Sequence, residues 1–273
     1  MKRRDGWPPP KKSLGQVLLV DDAVAREIVN SLNFPEGHNV LEIGPGRGIL
    51  TNHLISDKIN ITGCEIDERM GDLLVTRFGK CSIFSLILMD IMELNFDDLF
   101  PGEQYSVVGN LPYHLTSEIM FKFFDYIKAK WDAGEDIRVD SLSVMIQKEV
   151  ANRILSKPCT REWGILSIYT SLFGETQKLM DVFPDSFKPR PKVDSTVIRI
   201  KFRPKPLFEI KNYQLFKEII KVAFGKRRKM LRNTLARFNI PEQTRIDLQK
   251  RPEELSAEDF AYLADCAASA NIK

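Results

Sequence analysis

The sequence predicts an α/β protein, with a Rossmann-like parallel sheet covered by helices on both faces and a small all-α domain behind it. Three observations predict this. The N-terminal two-thirds alternates short apolar runs with stretches of helical periodicity, the pattern of successive βα units. Beyond Pro204 and Pro206 the pattern is helical only. Near the start, the apolar run Val40–Ile43 passes directly into a glycine-rich turn, Gly44-Pro-Gly-Arg-Gly48, that opens a helix.

Each element has its own warrant. Val40–Ile43, Ile61–Ile66, Ile83–Met89, Tyr105–Val108 and Ser141–Ile146 read as buried strands, because each is short, apolar and bounded by Gly, Asn or Asp. Between and after them Asp22–Leu32, Gly48–Ile55, Glu68–Phe78, Ser117–Lys130 and Gly164–Phe173 repeat apolar residues at helical spacing. In Ser195–Phe202, Ile198, Ile200 and Phe202 alternate with Arg199 and Lys201, the signature of a half-exposed strand late in the sheet. Pro184, Pro189 and Pro191 mark a long ordered loop before it. In the last segment Tyr213–Phe224, Arg227–Phe238, Pro241–Leu248 and Ala257–Ala268 read as helices. Ser256 and Asp259 form a capping box for the last of them. The expected domains are 1–203, with a basic N-terminal arm over 1–20, and 204–273.

Composition narrows the class. At 273 residues the chain can bury a large core plus a small second one. Its apolar and charged fractions, 43% and 28%, are those of a soluble globular protein. No apolar run reaches the roughly 20 residues needed to span a bilayer, and the basic start lacks the apolar stretch of a secretory signal. Cys64, Cys81, Cys159 and Cys266 are scattered without metal-like spacing and read as reduced thiols of a cytoplasmic protein. Net charge is only +3, but its distribution is uneven. Lys2, Arg3, Arg4, Lys11 and Lys12 crowd the N-terminus, while Lys211, Lys217, Lys221, Lys226, Arg227, Arg228, Lys229 and Arg232 crowd a stretch with one acid, Glu218. Either run alone fits a solvated face; two separated runs point to nucleic acid, through phosphate neutralisation and counterion release.

The glycine turn by itself would serve a dinucleotide as well as any other adenosine ligand. Its surroundings discriminate. Gly44 and Gly46 permit close approach of a ligand to the backbone. Glu65 ends the second strand, where a carboxylate accepts both ribose hydroxyls. Asp90 ends the third, in reach of an adenine amino group, and Glu42 precedes the turn. Three acids at strand ends suit S-adenosylmethionine, which carries a sulfonium and an ammonium and no pyrophosphate. They argue against a nicotinamide dehydrogenase.

Gly109-Asn-Leu-Pro-Tyr113 follows the fourth strand, at the edge where open α/β sheets bind ligands. The Asn110 side-chain oxygen and the Leu111 carbonyl, turned inward by Pro112, would accept the two hydrogens of an exocyclic amine, and Tyr113 would stack on the base. Such a site works by positioning and electrostatic complementarity and needs no strong general base. DNA adenine methyltransferases share this chemistry but usually carry Asp-Pro-Pro-Tyr or Asn-Pro-Pro-Tyr.

With these residues in hand, the chain resembles the bacterial small-subunit rRNA adenine dimethyltransferase family, sisters of the erythromycin-resistance methyltransferases. The motifs are Lys11-Lys-Ser-Leu-Gly-Gln16, Glu42-Ile-Gly-Pro-Gly46, Glu65-Ile-Asp67, Asn110-Leu-Pro-Tyr113, Gln147-Lys-Glu-Val150, Phe187-Lys-Pro-Arg-Pro-Lys-Val-Asp-Ser195 and Phe224-Gly-Lys-Arg-Arg-Lys229. The resemblance implies a class I methyltransferase sheet using S-adenosyl-L-methionine, bound by Val17, Leu19, Gly44, Gly46, Glu65, Asp90 and Asn110. It implies catalysis by Asn110, Leu111, Pro112 and Tyr113, with Phe187 as second half of an aromatic clamp. Lys11, Lys12, Lys226, Arg227, Arg228, Lys229 and Arg232 would hold rRNA. The implied product is N6,N6-dimethyladenosine at two adjacent adenines near the 3′ end of small-subunit rRNA, made as the subunit matures. Without a heptad or an obvious apolar seam in the sequence the expected state is a monomer, and the cysteine usage and spacing lead to the expectation of a cytoplasmic protein without metal. One departure stands out. Where the family reads Gln-Asn-Phe-Leu or Gln-His-Phe-Leu, this chain has Gln16-Val-Leu-Leu19, and Val17 offers the cofactor no polar side chain. The expected consequence is weakened cofactor binding, and the alternative role is an assembly factor that binds rRNA with weakened or lost methylation.

Overall fold

The computed structural model describes residues 7–241 and 243–270. Lys2, Arg3 and Arg4 of the expected basic arm lie outside them. The chain divides into two compact units, one made of 1–151 with 175–204 and the other of 152–174 with 205–273. Residues 152–174 group with the C-terminal segment in this division. The cause is local: the Trp163 indole N–H donates to the Leu255 carbonyl (2.9 Å), and the Cys159 amide donates to the Glu253 carbonyl (2.8 Å).

In chain order the first unit contains β1 (Leu18–Leu19), α1 (Asp22–Leu32), β2 (Asn39–Ile43), α2 (Ile49–Ser56), β3 (Asn60–Glu65) and α3 (Glu68–Phe78). It continues with β4 (Phe84–Leu88), β5 (Tyr105–Asn110), α4 (Thr116–Ala133), β6 (Val139–Gln147) and the start of α5 (Lys148–Leu155). After the return of the chain come β7 (Gly174–Val182), β8 (Phe187–Lys188) and β9 (Ser195–Phe202). Seven strands form one sheet in the order β4-β3-β2-β5-β6-β9-β7, while β1 and β8 pair separately. The pairs β3–β4, β2–β3, β2–β5 and β5–β6 are parallel, and β6–β9 is antiparallel. All four strand ends that carry candidate residues therefore open on the same edge.

Local chemistry sets the boundaries. Asp21 caps α1 by accepting from the amides of Ala23 and Val24 (3.1 and 3.2 Å), and Asn33, at φ 52°, ends it. Asp67 caps α3 at the Arg69 amide (3.2 Å). β2 is buried at every position, as its unbroken apolar run requires of a central parallel strand. β9 is not the half-exposed strand expected. It lies between β6 and β7 and buries all but Arg199 and Lys201. Arg199 reaches down to donate to the Ser143 hydroxyl (3.3 Å) and the Ser31 carbonyl (3.3 Å), so a charge in the alternation did not mean solvent.

The second unit holds α6 (Ile165–Phe173), α7 (Tyr213–Gly225), α8 (Leu231–Thr234) and α9 (Ala257–Ala270). The capping box forms: the Ser256 hydroxyl accepts from the Asp259 amide (3.1 Å), and Asp259 accepts from the Ser256 amide (3.0 Å). Two expected helices do not. Arg227–Phe238 is reduced to α8 and a 3₁₀ turn at Ala236–Phe238. On a helix Lys229 and Arg232 (i,i+3) and Arg228 and Arg232 (i,i+4) would face one another as like charges, and Arg227 is drawn instead to the Thr160 carbonyl (3.3 Å) and Glu253 (3.7 Å). The described part of Pro241–Leu248 is turn and bend. There the Leu248 carbonyl accepts from the Arg232 amide and the Lys250 carbonyl from the Leu231 amide (both 2.9 Å), while the Asp247 side chain accepts from the Gln249 amide (2.8 Å). These bonds replace the helical ladder.

Candidate active site

At the carboxyl edge of the parallel strands a cavity of about 230 Å³ is lined by Gly44 and Gly46 after β2, Glu65 and Ile66 at β3, Met89, Asp90 and Ile91 after β4, and Asn110 to Leu115 after β5. The N-terminal segment Ser13–Leu18 closes it from one side, and Ile119 of α4 contributes to the wall. The sheet thus brings together Val17, Gly44, Gly46, Glu65, Asp90, Asn110, Leu111, Pro112 and Tyr113.

The turn after β2 is built around positive φ angles at Gly44 (60°), Gly46 (57°) and Gly48 (74°), which L side chains adopt only with strain. Their surroundings differ. A Cβ on Gly44 would meet nothing within 4 Å, so the backbone there borders open space. One on Gly48 would lie 2.5 Å from the Phe78 ring. Gly44 is the position that admits a ligand, and Gly48 the one that packs α3 against the turn.

Glu65 is 3% exposed and ties the turn to β3. Its Oε2 accepts from the Gly46 amide and its Oε1 from the Asp67 amide, each at 2.9 Å. Burial raises its pKa, and the backbone amides of Asp67, Gly46 and Ile66 pull it back. A carboxylate has about four acceptor sites, so these amides leave capacity to accept ligand hydroxyls. Asp90 accepts from the Met92 amide through Oδ1 (2.9 Å), which folds the turn after β4 around it. Glu42 lies beneath the turn that it precedes. It faces a small cavity of about 30 Å³ behind the turn, shared with Leu18, Leu19 and Gly44, and accepts from the Thr51 hydroxyl (2.7 Å). Burial pushes its carboxyl up to about 7, with the Glu65 charge adding to the effect.

Asn110 ends β5, and its Nδ2 donates to the Val17 carbonyl across 2.7 Å. That bond fixes the amide plane and turns Oδ1 away from Val17. In that bond position 17 contributes a main-chain oxygen, which every residue type possesses. Nothing in the sequence announces a pairing between residues 93 apart. Tyr113 is half-buried in the cavity wall with its hydroxyl 3.0 Å from Ser195 Oγ, a partner sequence reasoning missed. Burial raises the Tyr113 pKa, so the phenol stays protonated.

Two expected site residues lie off the cavity. Phe187 is 2% exposed and pairs with Leu19 in the β1–β8 ladder, both within the hydrophobic core beside α1. Its ring is spent on packing, which anchors the N-terminal wall, and is not presented to the cavity. Leu19 is likewise 4% exposed. Among the cations, Lys11, Lys12, Lys226, Arg228, Lys229 and Arg232 are exposed, whereas Arg227 is half-buried against Thr160 and Glu253. Among the described residues no His, Cys, Asp and Glu cluster could hold a metal ion, and no helix is long and apolar enough to cross a membrane.

The comparison with known proteins agrees with this geometry. The family model described as ribosomal RNA adenine dimethylase matches residues 10–269. Ribosomal RNA small subunit methyltransferase A of Alkaliphilus oremlandii is 35% identical over 93% of this chain and 90% of its own. Its counterpart from Clostridium perfringens is 37% identical over 93% and 89%. In fold, the chain is similar to a dimethyladenosine transferase from Plasmodium falciparum, at a TM-score of 0.70 and 22% identity over 90% of this chain and 95% of that one. The 23S rRNA methyltransferase ErmE gives 0.67 and 22% over 92% and 99%. With a family model spanning nearly the whole chain and relatives above one-third identity, the chain belongs to the ribosomal RNA adenine dimethylase family.

Proposed function

We propose that this chain dimethylates N6 of two adjacent adenines near the 3′ end of small-subunit rRNA, acting as a monomer on the immature subunit in the cytoplasm. The observation that carries the reading is Asn110, held by the Val17 carbonyl at the rim of a cavity shared with Gly44, Glu65 and Asp90.

The residues fit S-adenosylmethionine. Gly44 borders open space, Glu65 keeps lone pairs for two ribose hydroxyls, and Asp90 offers an acceptor for an adenine amine. When bound, that cofactor supplies an electrophilic methyl group. What the chain supplies is orientation. Asn110 Oδ1 and the Leu111 carbonyl accept the two N6 hydrogens of the target adenine, which draws the nitrogen lone pair out of conjugation with the ring. Tyr113 offers its face to the base, braced through its hydroxyl on Ser195. Ser13–Leu18 walls the cavity on one side and so narrows the access of water to it. Lys11, Lys12, Lys226, Arg228, Lys229 and Arg232, all exposed, are the cations we assign to rRNA phosphates, with Arg227 in a supporting place beside Glu253. What supports methylation over a non-methylating assembly factor is that the Val17 carbonyl holds Asn110 in place whatever the side chain at position 17.

The test is methyl transfer from labelled S-adenosylmethionine to immature small subunits, naked rRNA and DNA, followed by nucleoside analysis. Dimethyladenosine in the rRNA of immature subunits, lost in Asn110→Ala, is the expected result. Transfer confined to DNA, or undiminished transfer by the variant, overturns the reading.

A further inference from the structure

The turn that follows β4 has no regular structure of its own, yet it carries Asp90 and the Met89 and Ile91 wall of the cavity. Part of what holds it is local: the Met92 amide on Asp90 Oδ1 (2.9 Å) and the Glu93 amide on the Asp90 carbonyl (2.9 Å). The rest comes from one side chain in α4. Lys122 Nζ lies 2.8 Å from the Ile91 carbonyl, 2.7 Å from that of Met92 and 2.6 Å from that of Leu94. An ammonium has three N–H donors, and all three meet main-chain oxygens of a single turn. The position of Nζ is fixed from behind as well, 5.0 Å from the centroid of the Phe96 ring, which itself stacks on Phe123 of α4 at 4.4 Å. One helical turn before Lys122, Ile119 reaches the cavity from the same helix. The clamp and the wall are thus parts of one rigid element.

We propose that Lys122 is a positioning residue for adenine recognition: it locks the Ile91–Leu94 turn so that Asp90 presents its free oxygen where an adenine amino group of the cofactor can donate to it. The inference rests on the reading of Asp90 as the acceptor of that amine. Asp90 lies at the mouth of a loop, and an acceptor discriminates an amino group from a carbonyl only when its place is fixed to a fraction of an ångström. Lys122 touches neither the cavity nor any ligand in it, so its effect appears as selectivity for the adenine edge. An arginine cannot replace it. A planar guanidinium spreads its donors along a fork, and the three carbonyls converge on a single point.

The experiment is calorimetric binding of S-adenosylhomocysteine and of S-inosylhomocysteine, whose hypoxanthine ring replaces the amine with a carbonyl. The proteins compared are wild type, Lys122→Met, Lys122→Arg and Asp90→Asn, with thermal melting run alongside. Wild type should prefer the adenine ligand. Both Lys122 variants should lose roughly tenfold in affinity for it, the scale of a released charged hydrogen-bond set, and most of the preference with it. Lys122→Arg keeps the charge and the stem, so it remains informative if Lys122→Met does not fold. Asp90→Asn, which can present either an oxygen or an amide N–H, should lose the preference too. If Asp90→Asn loses it while both Lys122 variants keep it, or weaken both ligands equally, the positioning role is overturned alone. If Asp90→Asn keeps the full preference, the acceptor reading falls and the proposal falls with it.

Discussion

Glu42 contributes to stability in a way that depends steeply on pH. It sits in the middle of the sheet, 2% exposed, with its carboxyl raised from the ordinary 4.5 to about 7 by burial and by the neighbouring Glu65 charge, against the Thr51 hydroxyl that favours the ion. A carboxyl whose folded pKa is raised binds its proton more tightly in the native state than in the unfolded chain. Its contribution is therefore complete below pH 4.5 and is lost as pH climbs through 7. Two and a half pH units at about 1.4 kcal/mol each put the cost of ionising it in place at about 3 kcal/mol. Glu42→Gln keeps the size and the oxygen that accepts from Thr51, and cannot ionise. In urea titrations across a pH series, the variant and the wild type should match near the acid end. The variant should then gain steadily, reaching an advantage of about 3 kcal/mol by about pH 8. A stability difference that stays constant across the series would refute the reasoning, because it would mean that Glu42 ionises as freely in the fold as out of it.

The remaining predictions concern the turn, the tyrosine and the cations. Gly48→Ala should cost about 2–4 kcal/mol in melting experiments, because its Cβ meets Phe78 at 2.5 Å with φ at 74°. Gly44→Ala should cost only the roughly 1–2 kcal/mol of backbone strain but should weaken calorimetric binding of S-adenosylhomocysteine, since its Cβ enters open space at the cavity rim. Tyr113→Phe deletes the bond to Ser195 and keeps the ring, so kcat should fall only a few-fold, the scale of about 1 kcal/mol, whereas Tyr113→Ala should fall much further. Replacing Lys226 or Arg228 should lower the slope of log affinity for rRNA against log salt by roughly 0.7–0.9 each; an unchanged slope would remove that residue from the phosphate contacts.

Much of the sheet was legible because buried parallel strands and amphipathic helices leave strong periodic marks. α1, α3 and β9 begin and end where the pattern places them, at Asp22–Leu32, Glu68–Phe78 and Ser195–Phe202. β7 was missed because Gly-Glu-Thr-Gln-Lys-Leu-Met-Asp-Val is an edge strand with little alternation to read. The two-residue strands β1 and β8 are too short to have a period at all. The stretch after Lys226 was misread because helical spacing of apolar residues survives in a chain whose backbone is satisfied by Arg232–Leu248 and Leu231–Lys250 pairing. In the site, the glycines, acids and the Asn110–Tyr113 turn could be read as chemistry from residue type and order. What could not be read were long-range partners. The Val17 carbonyl on Asn110, Ser195 on Tyr113 and Lys122 on the turn after Asp90 are set by the fold, and so is the burial that withdraws Phe187 from the cavity.

The wall formed by Ser13–Leu18 carries a consequence for synthesis. Those residues are translated before the groups that hold them, which come far later: Asn110 on the Val17 carbonyl, Lys188 opposite Leu18, Phe187 opposite Leu19, and the Ser186 carbonyl on the Val20 amide. A nascent chain that has exposed β2 through β5 already owns the glycine turn, both cavity acids and Asn110. It still lacks one side of the pocket, because the segment that makes that side has only one of its anchors. The binding site closes when the Phe187 loop arrives, some 170 residues after the wall itself was translated. The wall thus gains its last anchors only when the first unit is nearly complete, and a chain ending before Phe187 carries the motif without those anchors.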